Sequence, residues 1–222
     1  MMIVHNILPL SICLCCWTLC FSQIGKEDRH FDGLYLGANA GSQNLFGGSF
    51  VDGVDVLAQE SRFVAELFTG FRKQFLKGRM LAGAEVQIGF TDGNLTYHDP
   101  SKPLTIHYKN NFQHGFGLTL GAVFFKKKNL LVFAYAFETK RTFDVAIRDA
   151  IGSYKQTDEQ GMLKYGLGTE LHLWKGLNAR ATLGRLRVDF GDLVTNIDVE
   201  DKWDVTVGVS YQFRLRLQPQ NQ

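Results

Sequence analysis

Met80-Leu81-Ala82-Gly83-Ala84-Glu85-Val86-Gln87-Ile88-Gly89-Phe90 alternates without a break from Ala82 onward. Ala82, Ala84, Val86, Ile88 and Phe90 share one face of an extended chain, and Gly83, Glu85, Gln87 and Gly89 share the other. Successive side chains of a strand point to opposite sides, so a period of two marks a strand between two unlike environments. The period continues in both directions. Residues 62–74 place Phe63, Ala65, Leu67, Thr69 and Phe71 on one face, and residues 33–43 read as a strand before them. Residues 106–125, 130–141, 162–174, 177–190 and 203–215 follow as further strands, which predicts eight in all. In the strand over 130–141, Leu131, Phe133, Tyr135 and Phe137 stand opposite Ala134, Ala136, Glu138 and Lys140. In the strand over 177–190 the phase slips near Arg185, which predicts a bulge there.

The connections alternate in length. Segments 44–61, 91–105, 142–161 and 191–202 are long; 75–79, 126–129 and 175–176 are short. A soluble up-and-down barrel has no reason to sort its loops, whereas an outer-membrane barrel keeps short turns on the periplasmic side and long loops outside. The longest apolar runs after the start of the chain, LTLGAVFF at 118–125 and LLVFAYAF at 130–137, are too short to cross a bilayer as helices. A closed barrel spans with such strands because it satisfies every backbone hydrogen bond between neighbours. The expected fold is therefore all-β, an eight-stranded antiparallel up-and-down transmembrane β-barrel. The apolar faces are assigned to lipid. The faces carrying Gly83, Gly89, Gly115, Gly117, Gly121, Gly166 and Gly168 are assigned to the interior, where glycine makes room for long polar side chains opposite. Aromatic residues gather at both strand ends, among them Phe71, Phe124, Trp174 and Tyr211 at one and Phe63, Phe90, Phe137, Phe143 and Trp203 at the other, as in interfacial girdles.

Cys13, Cys15, Cys16 and Cys20 are the only cysteines, so neither a disulfide framework nor a thiolate metal site is expected in the rest of the chain. They lie in an apolar run that reads as a secretory signal over residues 1–22, cleaved after Ser22. The barrel is expected over 23–217 and a loose tail over 218–222. Lys plus Arg number 24 against 22 Asp plus Glu, a balance that argues against a nucleic-acid binder.

GLYLGANAG at 33–41, LAGAEVQIGF at 81–90 and VTVGVSYQF at 205–213 resemble the small outer-membrane β-barrel proteins, the family of opacity-type porins and the OmpA transmembrane domain. The resemblance covers nearly the whole chain after the signal, as pattern rather than as a diagnostic motif. It implies an outer-membrane location in a Gram-negative envelope and contact with outer-membrane lipid. It also implies insertion by the barrel-assembly machinery, which reads an aromatic end on the last strand; Tyr211 and Phe213 match that signal, although residues 214–222 follow them.

No catalytic, cofactor-binding or metal-binding residue is assigned, and no cofactor is expected. His98, Asp99 and Ser101 in HDPSKP are the residue types a lipid A-modifying enzyme would use, but polar residues beside prolines are ordinary turn composition. His107, His114 and His172 lack ligand spacing. The informative set is interior charge: Glu66, Glu85, Glu138, Glu170 and Asp204 against Arg72, Lys109, Lys140, Lys164 and Arg180. Buried charges need partners, so a network plugging the lumen is expected. Arg180 is its expected hub. Glu170 is set nearly opposite it across the 175–176 turn, and Glu66 and Glu85, set nearly opposite one another across the Phe75–Lys77 turn, are its further candidate partners. The expected role is that of a monomeric, non-enzymatic barrel, structural or binding an unnamed ligand through its long loops; a narrow porin-like channel is the alternative, with a lipid A-modifying enzyme behind it.

Overall fold

The computed structural model describes residues 29–51, 54–91, 93–125, 129–189 and 202–213. The expected leader (1–22) and tail (218–222) lie outside those residues. The strands are β1 (Gly33–Val51), β2 (Val54–Phe75), β3 (Met80–Thr91), β4 (Asn94–His98), β5 (Thr105–Phe124), β6 (Leu130–Arg148), β7 (Ser153–Trp174), β8 (Leu177–Asp189) and β9 (Lys202–Gln212). All neighbours are antiparallel in the order β3-β2-β1-β9-β8-β7-β6-β5, and pairing of β3 with β5 closes the ring. β4 continues the wall begun by β3, since both pair with β5, so nine elements make an eight-stranded barrel. Every strand edge in the spanning zone is paired, as a lipid-exposed backbone requires.

The wall extends well beyond a membrane's thickness on one side. Segments 44–61 and 142–161, expected as loops, are mostly paired strand: β1 and β2 pair as far as Val51↔Val54, and β6 and β7 as far as Arg148↔Ser153. The alternation there had been hidden by polar residues on the outer face. On the inner face Leu45, Leu95, Leu104, Ile106, Tyr108, Phe143, Val145 and Ile147 form a buried apolar cluster that braces these hairpins. Residues 190–201 lie outside the described residues.

Three phase readings need correction. A bulge in β5 lies between Asn110↔Phe143 and Gln113↔Arg141, so the upper and lower parts of the strand alternate out of step. Near Arg185 no slip occurs: β8 pairs continuously with β9 from Leu177↔Tyr211 to Leu186↔Lys202, and the irregularity lies instead between His172 and Trp174. Strand β6 is inside out relative to expectation. Leu131, Phe133, Tyr135 and Phe137 are buried in the lumen, while Ala134, Ala136, Glu138 and Lys140 are exposed outside.

The reason lies in the neighbouring glycines. Gly117 is paired with Phe137, Gly168 with Phe133 and Gly166 with Tyr135. A Cβ on Gly117 would stand 2.4 Å from the Phe137 ring, and one on Gly168 would stand 2.3 Å from Phe133. Gly117, Gly166 and Gly168 thus receive aromatic rings, not long polar chains, whereas Gly115 faces Thr139. Elsewhere the apolar face meets lipid as expected: Leu36, Phe71, Val86, Phe116, Leu120, Leu167 and Val207 are exposed.

Candidate functional site: the plugged lumen

Four cations, Arg72, Arg141, Lys164 and Arg180, and four carboxylates, Glu66, Glu85, Glu170 and Asp204, are buried inside the barrel. Each is carried on the inward face of its strand, so register aims it at the axis; the outward neighbours are apolar for Glu85, Lys164, Arg180 and Asp204, whereas Arg141 is flanked by Lys140 and Thr142. Burial of a lone charge is prohibitive, and each of the eight has a polar partner.

The set divides into two groups. Toward the short-turn end, Arg180 on β8 makes a two-pronged contact with Glu85 on β3, Nη1 to Oε2 at 2.7 Å and Nη2 to Oε1 at 3.1 Å. Arg180 also lies 3.5 Å from Glu170, which accepts Arg72 at 2.9 Å. The Tyr35 hydroxyl donates to Glu85 at 2.7 Å, and the Arg72 Nε donates to Gln212. Aromatic faces cover both guanidinium groups: Arg180 lies 4.2 Å from the Phe68 centroid and Arg72 lies 4.2 Å from that of Tyr35. Stacked, forked guanidinium groups are well suited to a dry ion pair.

Toward the hairpin end, Lys164 joins Glu66 at 2.7 Å and Asp204 at 3.0 Å. Gln43 donates to Asp204, and Gln113 donates to Glu66. Arg141 is held by the Gln43 and Gln113 carbonyl oxygens at 2.5 and 2.6 Å. The two groups together carry no net charge. Several links cross the barrel from wall to opposite wall: β8 to β3, β2 to β7, and β6 to β1.

Glu85, Glu170 and Arg180 meet. Glu66 is inside but serves Lys164 rather than Arg180. It is not opposite Glu85: the β2–β3 register pairs Glu66 with Gly89 and Glu85 with Gly70. Glu138, Lys109 and Lys140, expected inside, are on the outer wall, because β6 turns its aromatic rings inward and the bulge at 110–113 shifts the parity of upper β5. Lys140 meets Glu159 there at 2.8 Å. Tyr211 and Phe213 face outward with their rings 5.1 Å apart, and the Phe213 N–H donates to Leu34 O across the β1–β9 seam. Arg141, Gln43, Gln113 and Tyr35 were missed. Arg141 shares the parity of Phe137, so a correct phase for β6 would have found it.

His98, Asp99 and Ser101 do not assemble into a relay. The Ser101 hydroxyl donates to Asp99 at 2.7 Å, and His98 Nδ1 faces Thr105 instead. The Ser101 hydroxyl and backbone N–H hold the Asp99 carboxyl below its usual range. Among the described residues no group of three or more His, Cys, Asp or Glu is arranged to hold a metal ion.

The family described as outer membrane protein beta-barrel domain matches residues 13–213. The chain belongs to that family. It is an outer-membrane protein, and its exposed apolar belt contacts lipid. None of the curated proteins matches the chain in sequence. Among solved structures, it is similar to Neisserial surface protein A (NspA) at 12% identity, covering 82% of this chain and 98% of that one with a TM-score of 0.41. It is similar to Ail, the attachment invasion locus protein of Yersinia pestis, at 12% identity, 82% and 99% coverage and a TM-score of 0.43. For the N-terminal β-barrel domain of Pseudomonas aeruginosa OprF the values are 12% identity, 82% and 98% coverage and a TM-score of 0.40.

Proposed function

We propose that the protein is a closed, non-enzymatic barrel that carries rigid recognition hairpins on the cell surface. The observation that supports closure is the cross-lumen pair Arg180–Glu85, with Arg72–Glu170 beside it and Lys164–Glu66 above it. Ions would have to displace paired, desolvated charges in both groups, and a lumen without net charge concentrates neither cations nor anions. The short turns face the periplasm and the long hairpins face outward, the arrangement usual for such barrels. Braced by their own apolar cluster, the hairpins present a fixed surface, as a scaffold suited to binding does. The chain works as a monomer in lipid, without cofactor, metal or nucleic acid. The barrel-assembly machinery inserts it by reading the Tyr211–Phe213 end of β9.

Planar-bilayer recording tests closure. The unaltered protein should show no steady conductance, and Arg180→Ala should show flickering openings or a lowered unfolding midpoint. A steady conductance in the unaltered protein would establish the narrow-channel reading. If Arg180→Ala altered neither conductance nor thermal stability, Arg180 would not be holding the lumen shut.

A further inference from the structure

The short segment before β1 is not used by the plug, yet it is tied to two opposite walls. Phe31 is fully buried against Leu81, Val123, Leu131 and Phe133 of β3, β5 and β6, at the short-turn mouth of the barrel. Its backbone N–H donates to the Gln74 side chain at 3.0 Å, and Gln74 in turn donates to Gly78 O at 2.9 Å. Asp32 meets Lys73 of β2 at 3.2 Å and Arg29 at 3.5 Å, and Arg29 reaches Gln74 O. These ties hold the segment to β2. On the other side the His30 ring stacks on His172 of β7, with centroids 4.2 Å apart and planes 15° apart. β2 and β7 are four places apart in either direction around the ring, so the segment crosses the full mouth. The Arg72 guanidinium, 5.2 Å from the Phe31 centroid, seats the ring against the charge network from above.

We propose that Arg29–Asp32 is a strap that seals the periplasmic mouth and keeps water from the Arg72–Glu85–Glu170–Arg180 group. Exposed loops do not bury a whole phenyl ring or bind opposite walls at once. Phe31 occupies the lower lumen as a stopper, Asp32 and Gln74 anchor it to β2, and His30 anchors it to β7. The strap lies under a crevice that the network's Arg72, Glu85, Glu170 and Arg180 share with Leu81 and Thr119. The barrel is thus closed twice, by side chains from its own walls and by chain passing under them. The inference builds on the closed-lumen reading, but its readout does not depend on ion flow.

The test uses Thr119→Cys, a buried lumenal position in a barrel otherwise free of cysteine. The full chain in micelles is treated with a small cationic methanethiosulfonate, and modification is followed by mass on the proteolytic peptide that carries residue 119, apart from the four cysteines of residues 13–20. With the strap intact, labelling should be slow. Adding Phe31→Ala, or Asp32→Asn with Gln74→Ala, should accelerate it at least tenfold while the heat-dependent mobility of a folded barrel is retained. Conductance should stay nil, because the wall network still closes the lumen. Fast labelling with the strap intact, or equal rates with and without the strap substitutions, overturns the proposal. Hydrogen exchange of the Phe31 amide in the unaltered protein provides a check without substitution: protection is expected, and exchange at the rate of an open chain would refute the strap. Steady conductance in the unaltered protein would instead count against the closed-lumen reading.

Discussion

Glu85→Gln removes the carboxylate that holds both prongs of Arg180, and leaves that guanidinium buried with Glu170 at 3.5 Å as its remaining charged partner. Breaking one side of a buried pair costs about 3–5 kcal/mol, because the survivor keeps its desolvation penalty. Gln preserves the shape and can still accept from the Tyr35 hydroxyl, which now donates at 2.7 Å, so the lower end, ~3 kcal/mol, is expected. Arg180→Met strips Glu85 of its cation but leaves Glu170 with Arg72, and should cost ~3–4 kcal/mol. If the two sites acted independently, the double variant would lose the sum, roughly 6–7 kcal/mol. The geometry says otherwise: the double variant buries no orphaned charge, so it should lose no more than the worse single, a coupling of ~3 kcal/mol. Urea titration in lipid vesicles, followed by the gel mobility of the folded barrel, measures all four proteins. A double variant at the sum of the singles would refute the claim that Arg180 and Glu85 neutralise one another across the lumen.

The inverted strand gives a second outcome. Ala136→Arg, on the lipid face of β6, should cost about 2–4 kcal/mol in the same titration, while Val207→Arg on β9 should behave alike. A neutral Ala136→Arg would return β6 to the opposite phase. Gly117→Ala places a methyl 2.4 Å from the Phe137 ring and 2.5 Å from Ala136 O, a backbone atom that cannot give way. It should destabilise by about 1–3 kcal/mol, and restoring space with Phe137→Leu should recover part of that loss. Ile147→Ala should lower hydrogen-exchange protection in the upper hairpins and leave the spanning strands unchanged. Ser101→Ala should raise the Asp99 pKa toward its ordinary value by NMR titration; the Ser101 bonds favour the ionised form, so their stabilisation is present above the ordinary pKa and fades as pH falls through the depressed one.

The unbroken period of two in residues 82–90 and its echoes along the chain were enough to reach an eight-stranded membrane barrel. Register and phase were not equally legible. For strand 130–141 both faces looked acceptable, apolar against small or charged, and the rule that apolar residues meet lipid chose wrongly. The choice depends on glycines in partner strands: Phe133 and Phe137 go inward because Gly168 and Gly117 leave room for them, a relation between residues distant in sequence. The same error carried Glu138 into the lumen and Arg141 out of it. The β5 bulge at 110–113 was equally hidden, since nothing local distinguishes an extra residue from continued alternation. Glu85, Glu170 and Arg180 were legible because their strands alternate cleanly. The placement of Glu66 opposite Glu85 failed on a register set by the 76–79 turn, where Leu76, Lys77 and Gly78 adopt positive φ and place Phe75 opposite Met80.

The cross-lumen pairs have a bearing on when the barrel becomes stable. Arg180 and Glu85 lie 95 residues apart in the chain, and Lys164 and Glu66 lie 98 apart. Each pair joins strands on opposite sides of the ring, so no hairpin, and no open sheet of neighbouring strands, can bring the partners within reach. Their attraction is felt only once the ring has curled almost fully. The contacts therefore add little to early insertion and much to the barrier against reopening, which is how an interaction absent from the transition state acts. In a barrel built this way the lumenal charges slow reopening of the closed seam by nearly the whole free energy that they add to its stability, and leave the rate of closure almost untouched.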